Sequence, residues 1–187
     1  MKTISEYSGR LLNHIETLYR PGDRDIAVEL VEVLGYGLTD TGFASDNGST
    51  FLAAHPNLDD RDVQNNVFYM SEITVEHLEL EARLERLSQT DAELQSSLEK
   101  YRDKARSRPF GIPHFAIRYT SAESVEAVSA RLETASLRLR DRVNLRIFRP
   151  QDADRAVGNL VQGFLYQDII VSGSFLMGQL IELQTQP

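Results

Sequence analysis

The chain repeats itself, and a repeat of this length leaves few folds open. LLNHIETLYRPGDRDIAVELVEVLG, from Leu11, aligns without a gap on GIPHFAIRYTSAESVEAVSARLETA, from Gly111. His14 falls on His114, Tyr19 on Tyr119, Ala27 on Ala127 and Val28 on Val128. Each copy is a short alternating apolar run, then turn residues, then apolar positions at helical spacing. Ala27, Leu30, Val31 and Leu34 recur in this way behind an Asp23 cap, and Val125, Val128 and Leu132 behind a Ser121 cap. Gly35 stands where a C-terminal cap glycine belongs. Three strand-like runs follow the first helix, GLTDTG, STFLAAH and NVFYMSEIT. VNLRIF, VQGFLYQDIIVSG and GQLIELQ follow the second. Both halves read β-α-β-β-β, so the expected fold is α+β: two βαβββ modules in a single domain spanning 1–187.

Module 1 is expected over about 9–74 and module 2 over about 109–187. Between them, 75–108 is charged and lacks Gly, with Pro only just past its end at Pro109. Leu80, Leu84 and Leu87, then Leu94, Leu98 and Tyr101, step by three and four residues as an amphipathic helix does. Ser88-Gln89-Thr90-Asp91 interrupts the run, and Thr90 with Glu93 has capping-box spacing. A helical connector, in two pieces or kinked, is the expectation. Its stripe would lie on a sheet or, at Leu80–Leu84–Leu87, pair two copies of the chain as a homodimer.

Composition removes several function classes. The absence of cysteine excludes disulfides and thiolate chemistry, so any metal must use His, Asp or Glu. A net charge of −8 argues against sequence-independent nucleic-acid binding. The arginines at 138, 140, 142, 146 and 149 are then expected to form a solvated face. The opening MKTISEYSGR lacks the apolar core of a signal peptide, and no segment has transmembrane length. A cytoplasmic protein without a membrane partner is expected. Ser172 and Ser174 lack the surroundings of a nucleophile elbow.

Strand alternation suggests where chemistry could gather. In the first strand His14, Glu16 and Leu18 share a face opposite Ile15, Thr17 and Tyr19. In its counterpart His114, Ala116 and Arg118 share a face opposite Phe115, Ile117 and Tyr119. The apolar rows suit packing on the helices, which turns the His rows to the other side. The last strands of the halves carry Glu72 and Glu182. If these glutamates join the His rows, two imidazoles and two carboxylates converge, a donor set for Zn, Ni, Co, Fe or Mn. Arg118, in the row of His114, has the fork that holds a substrate carboxylate or phosphate.

The runs LLNHIETLYRPGDRDIAVELVEVLG, HFAIRY and GQLIELQ resemble those of the vicinal oxygen chelate superfamily, which includes glyoxalases, bleomycin-resistance proteins and extradiol dioxygenases. The resemblance covers the chain except 75–108 and implies one divalent metal ion on His14, Glu72, His114 and Glu182. It implies a lyase or isomerase that enolises next to a carbonyl of a small oxygen-rich substrate, with Glu72 or Glu182 as the base. His55 and His77 are alternatives at the Glu72 position. Two further readings are a non-catalytic small-molecule binding or resistance protein, and a one-domain dioxygenase using His14, His114 and Glu182.

Overall fold

A computed structural model describes residues 14–45, 47–63, 66–152, 160–171, 178 and 180–185, the last of these mainly through its backbone. Leu11, Leu12, Ser172 and Ser174 lie outside the described residues. Strand β1 (His14–Tyr19) leads through helix α1 (Arg24–Val33) to β2 (Gly37–Ala44), β3 (Thr50–His55) and β4 (Val67–Glu72). Two helices follow, α2 (Val75–Thr90) and α3 (Ala92–Ser107). Then come β5 (His114–Tyr119), α4 (Ala122–Thr134), the short α5 (Leu137–Arg140), β6 (Val143–Phe148), β7 (Gln162–Gln167), β8 (Ile170–Val171) and β9 (Leu180–Thr185). The protein is a mixed α and β structure. One sheet runs β2-β3-β4-β1-β8 and the other β5-β9-β7-β6. Strand β1 pairs in parallel with β4, and β5 with β9. Among the described residues no helix is long and apolar enough to cross a membrane.

The alternation read from β1 and β5 sets how these sheets pack. Thr17, Tyr19 and Ile117 are buried, while His14, Glu16, His114 and Arg118 are exposed. Ile26, Ala27, Leu30 and Val31 from α1 meet Val125, Val128 and Leu132 from α4 in one apolar cluster. Phe68 and Met70 of one sheet and Ile117, Leu165 and Ile181 of the other belong to that same cluster. The Phe68 and Phe115 rings lie 4.9 Å apart, so the sheets touch through their helix-side faces. Each large side chain buried here contributes roughly 1.5–3 kcal/mol of transfer free energy.

Helix ends follow their local chemistry. Gly35 adopts φ +85°, and the Gly35 and Tyr36 amides donate to Glu32 and Val31, closing α1 as a Schellman turn. The Ser121 hydroxyl accepts from the Ser124 amide at the start of α4. Asp23 precedes α1 but makes no capping hydrogen bond. Its carboxylate binds Arg138 at 2.9 Å and Arg142 at 2.8 Å instead, because two guanidiniums outcompete backbone amides. Asp91, not Thr90, caps α3 by accepting from the Glu93 and Leu94 amides. Asp91 has extended backbone and directly precedes the helix, whereas Thr90 is still the last residue of α2.

The connector divides its work. α3 lays Ala105 and Tyr101 on Phe148, Phe164 and Tyr166, on the face of the four-stranded sheet that carries His114. α2 buries Glu81 and Ser88 and leaves Leu80 and Leu87 exposed. Arg20 holds Glu81 at 3.0 Å.

Candidate functional site

The strand registers decide which of the expected ligands meet. In the β1–β4 pair His14 lies opposite Val67, and Tyr19 opposite Glu72. Partners in a parallel pair share a face, so Glu72 belongs to the row of Thr17 and Tyr19, not to that of His14. It also stands at the other end of the strand, where it accepts from Asn47 Nδ2 at 3.1 Å. The register therefore does not place Glu72 on one face of the sheet with His14. In the β5–β9 pair His114 lies opposite Leu180 and Ala116 opposite Glu182, so Glu182 occupies a position in the row of His114. The Glu182 side chain lies outside the described residues.

The two histidines have separate surroundings. His14 packs its ring 5.1 Å from Tyr69. His114 lies 5.4 Å from the Phe164 ring, with Nδ1 2.7 Å from the Ile112 carbonyl oxygen. Because the sheets meet through their helix-side faces, both His rows turn away from the shared core, and among the described residues no common cup joins them. Among the described residues no group of three or more His, Asp or Glu is placed to hold a metal. Among the described residues His14, Glu72 and His114 form no such group. His55 is buried, with Nε2 3.1 Å from the Thr39 hydroxyl, and His77 approaches Glu81 at 3.9 Å.

The expected basic face resolves into ion pairs and carbonyl contacts. Arg142 spans Asp23 and Asp168, at 2.8 and 2.6 Å. Arg149 holds Glu126 at 2.6 Å, and Arg146 donates to the Ser107 carbonyl.

A cleft of about 390 Å³ opens elsewhere, between the C-terminal end of α1 and the β5–α4 segment. Leu34, Gly35 and Tyr36 border it from the first half, Arg118, Tyr119 and Ser124 from the second. Its position follows from how the halves are tied. The Tyr119 hydroxyl donates to the Leu34 carbonyl at 2.8 Å, and Arg131 Nε to the Val33 carbonyl at 2.5 Å. These bonds satisfy carbonyls that the end of α1 leaves unpaired, and the arginine charge complements the negative end of the helix. Burial pushes the Tyr119 phenol up to about 12 and holds that of Tyr36 well above its ordinary value, so both stay protonated donors. The Tyr36 hydroxyl is enclosed and makes no hydrogen bond of normal geometry among the described residues.

Family models, curated proteins and solved structures alike give no match. Geometry therefore carries the functional reading. Of the metal-ligand, base and substrate-binding candidates named from sequence, only Arg118 is among the residues lining the cleft. Arg131 and Tyr36 were missed because neither stands in a motif. The one signal available was that Gly35 ends a helix and so marks a place where polar groups must converge.

Proposed function

We propose that this chain is a binding protein for a small molecule, with the cleft between α1 and the β5–α4 segment as its site. It rests on one observation: both halves contribute side chains to a single open cavity whose size, about 390 Å³, suits a small ligand. Ala127 lines that cavity and is half-buried, so a larger side chain there fills it from the wall. Saturation-transfer NMR with a chemically diverse fragment set tests the reading. Fragments that bind the wild-type chain and lose their signal in Ala127→Phe support it. Fragments that bind both equally, or an empty screen, overturn it. A thermal unfolding midpoint kept by Ala127→Phe establishes that the variant folds.

The same proposal treats the sheets as related βαβββ modules of the vicinal-oxygen-chelate type in a cytoplasmic protein. Support comes from their strand orders, since β2-β3-β4-β1 and β6-β7-β9-β5 run through equivalent elements. It also comes from the equal lengths of His14–Tyr19 and His114–Tyr119. The metal-dependent lyase or isomerase is the second reading, favoured by the position of Glu182 in the row of His114. His114 and Glu182 would be the core of such a centre. Elemental analysis of tag-free protein purified without chelator decides this: a divalent ion near one per chain is required, and a trace amount rejects it.

A further inference from the structure

The cleft is backed by the C-terminal end of α1, and hydrogen bonds fix what surrounds that end. Arg131 Nε donates to the Val33 carbonyl at 2.5 Å, and the Tyr119 hydroxyl to the Leu34 carbonyl at 2.8 Å. Those carbonyls belong to consecutive residues, so the two donors stand beside each other at the helix end. Tyr36 follows, its amide bonded to the Val31 carbonyl. Its ring lies within 9° of parallel to that of Phe68, with centroids 6.0 Å apart. Two spaces share this ring: a small void among Phe68, Met70, Phe115 and Ile117, and the cleft. Among the described residues Tyr119 borders the cleft and not the void. The Tyr36 hydroxyl neighbours the Tyr119 phenol, which puts the polar end of Tyr36 on the cleft side.

That hydroxyl is a donor in want of an acceptor. Tyr36 is only 8% exposed, and its hydroxyl has no hydrogen-bond partner among the described residues. Tyr119 has its own proton committed to Leu34, and its contact with Tyr36 falls outside hydrogen-bond geometry. Buried donors in folded proteins are nearly always paired, so an acceptor brought in through the cleft completes this one. Charge decides which acceptor. Against the Arg131 guanidinium stands the end of α1, which carries about half an elementary negative charge, in a chain of 28 acidic and 20 basic residues. A carboxylate gains little from such a balance, whereas a neutral carbonyl oxygen accepts the phenol proton without opposition. Leu34, Pro56, Ile117 and Ala127 supply an apolar wall for the rest of the molecule. We infer that the cleft binds a small neutral molecule with a carbonyl group on an apolar body, its carbonyl oxygen accepting from the Tyr36 hydroxyl. This rests on the reading of the cleft as the binding site.

Titrations followed by ligand-observed NMR on the full chain separate the ligand class from the cleft. The probes are 4-phenylbutan-2-one, 3-phenylpropanamide and methyl 3-phenylpropionate, beside the anion 3-phenylpropionate and the oxygen-free butylbenzene. At least one carbonyl compound is expected to bind, with the anion and the hydrocarbon about tenfold or more weaker. Tyr36→Phe keeps the ring on Phe68 and removes the hydroxyl. It should weaken the carbonyl compound about tenfold, while the unfolding midpoint of the free chain is kept or raised because no bond is lost. A lowered midpoint would show that the hydroxyl is already paired within the fold, and overturns the inference. So does an anion or a hydrocarbon that binds as tightly as the carbonyl compounds. Binding that survives Tyr36→Phe but is abolished by Ala127→Phe overturns the carbonyl contact while the cleft stands. No binding by any probe rejects the ligand class, and the fragment screen then judges the cleft by itself.

Discussion

His55 ends β3 with 1% of its surface exposed and with its Nδ1 buried without a hydrogen-bond partner among the described residues. Burial holds its pKa below the ordinary histidine value, Arg61 lowers it further, and Asp62 opposes them. The unfolded chain therefore takes up this proton at a higher pH than the folded one. Stability is complete above the unfolded value near 6.5 and falls as pH drops from there through the folded value, by at most about 1.4 kcal/mol per pH unit. Urea unfolding of the wild type between pH 5 and 8 should show this decline. His55→Gln, which retains a polar group toward Thr39, should flatten it; an unchanged slope would clear His55. Arg142 makes a second prediction at this scale. It bridges Asp23 and Asp168 and is one-quarter exposed. Arg142→Met leaves Asp23 largely buried with only Arg138 as partner, at a cost of about 1–2 kcal/mol. Chemical denaturation that shows no loss would reduce the bridge to a surface pair.

The helices differ in how well their ends could be read. Gly35 at the end of α1 and Ser121 at the start of α4 were legible because each cap type has one geometry and few residues that satisfy it. The start of α3 was not, because Thr90 and Asp91 are both good caps and only the backbone chooses between them. Gly35→Ala forces a side chain into φ +85° and should destabilise the chain by about 1 kcal/mol. The strain is conformational, since an added Cβ meets only Arg131 Nη2 at an ordinary 3.5 Å. A fall in unfolding midpoint without a change in m-value is the expected signature, and an unaltered midpoint contradicts it. Asp91→Ala removes two capping bonds from α3 and should cost about 1 kcal/mol. Faster hydrogen exchange confined to the first turn of α3 would locate that cost, and exchange that stays as slow as in the wild type would show that packing alone fixes the helix.

At the scale of the molecule, the connector helix α2 still presents Leu80 and Leu87 to solvent, with Leu84 half-buried between them. A homodimer through this stripe is the corresponding proposal: sedimentation at micromolar concentration should give the mass of two chains, and Leu84→Glu the mass of one. A wild-type mass of one chain rejects it. The sequence alone determined the elements and their faces, because a period of two or of 3.6 is a local property that needs no partner. It marked His14–Tyr19 and His114–Tyr119 as strands, put Tyr19 and Ile117 inward, and singled out the helical character of 75–108. It did not determine which face of a neighbouring strand joins which, since register comes from pairing across the chain and one residue of slip reverses every side chain. That is why Glu72 fell on the row of Tyr19 and not of His14. Only the tertiary structure decided that both sheets turn their helix-side faces to one core, and so that the histidine rows look outward. The cleft is likewise tertiary: Tyr36, Tyr119 and Arg131 line one cavity because the second half supplies the hydrogen bonds that end the first half's helix, and no spacing within either half records that.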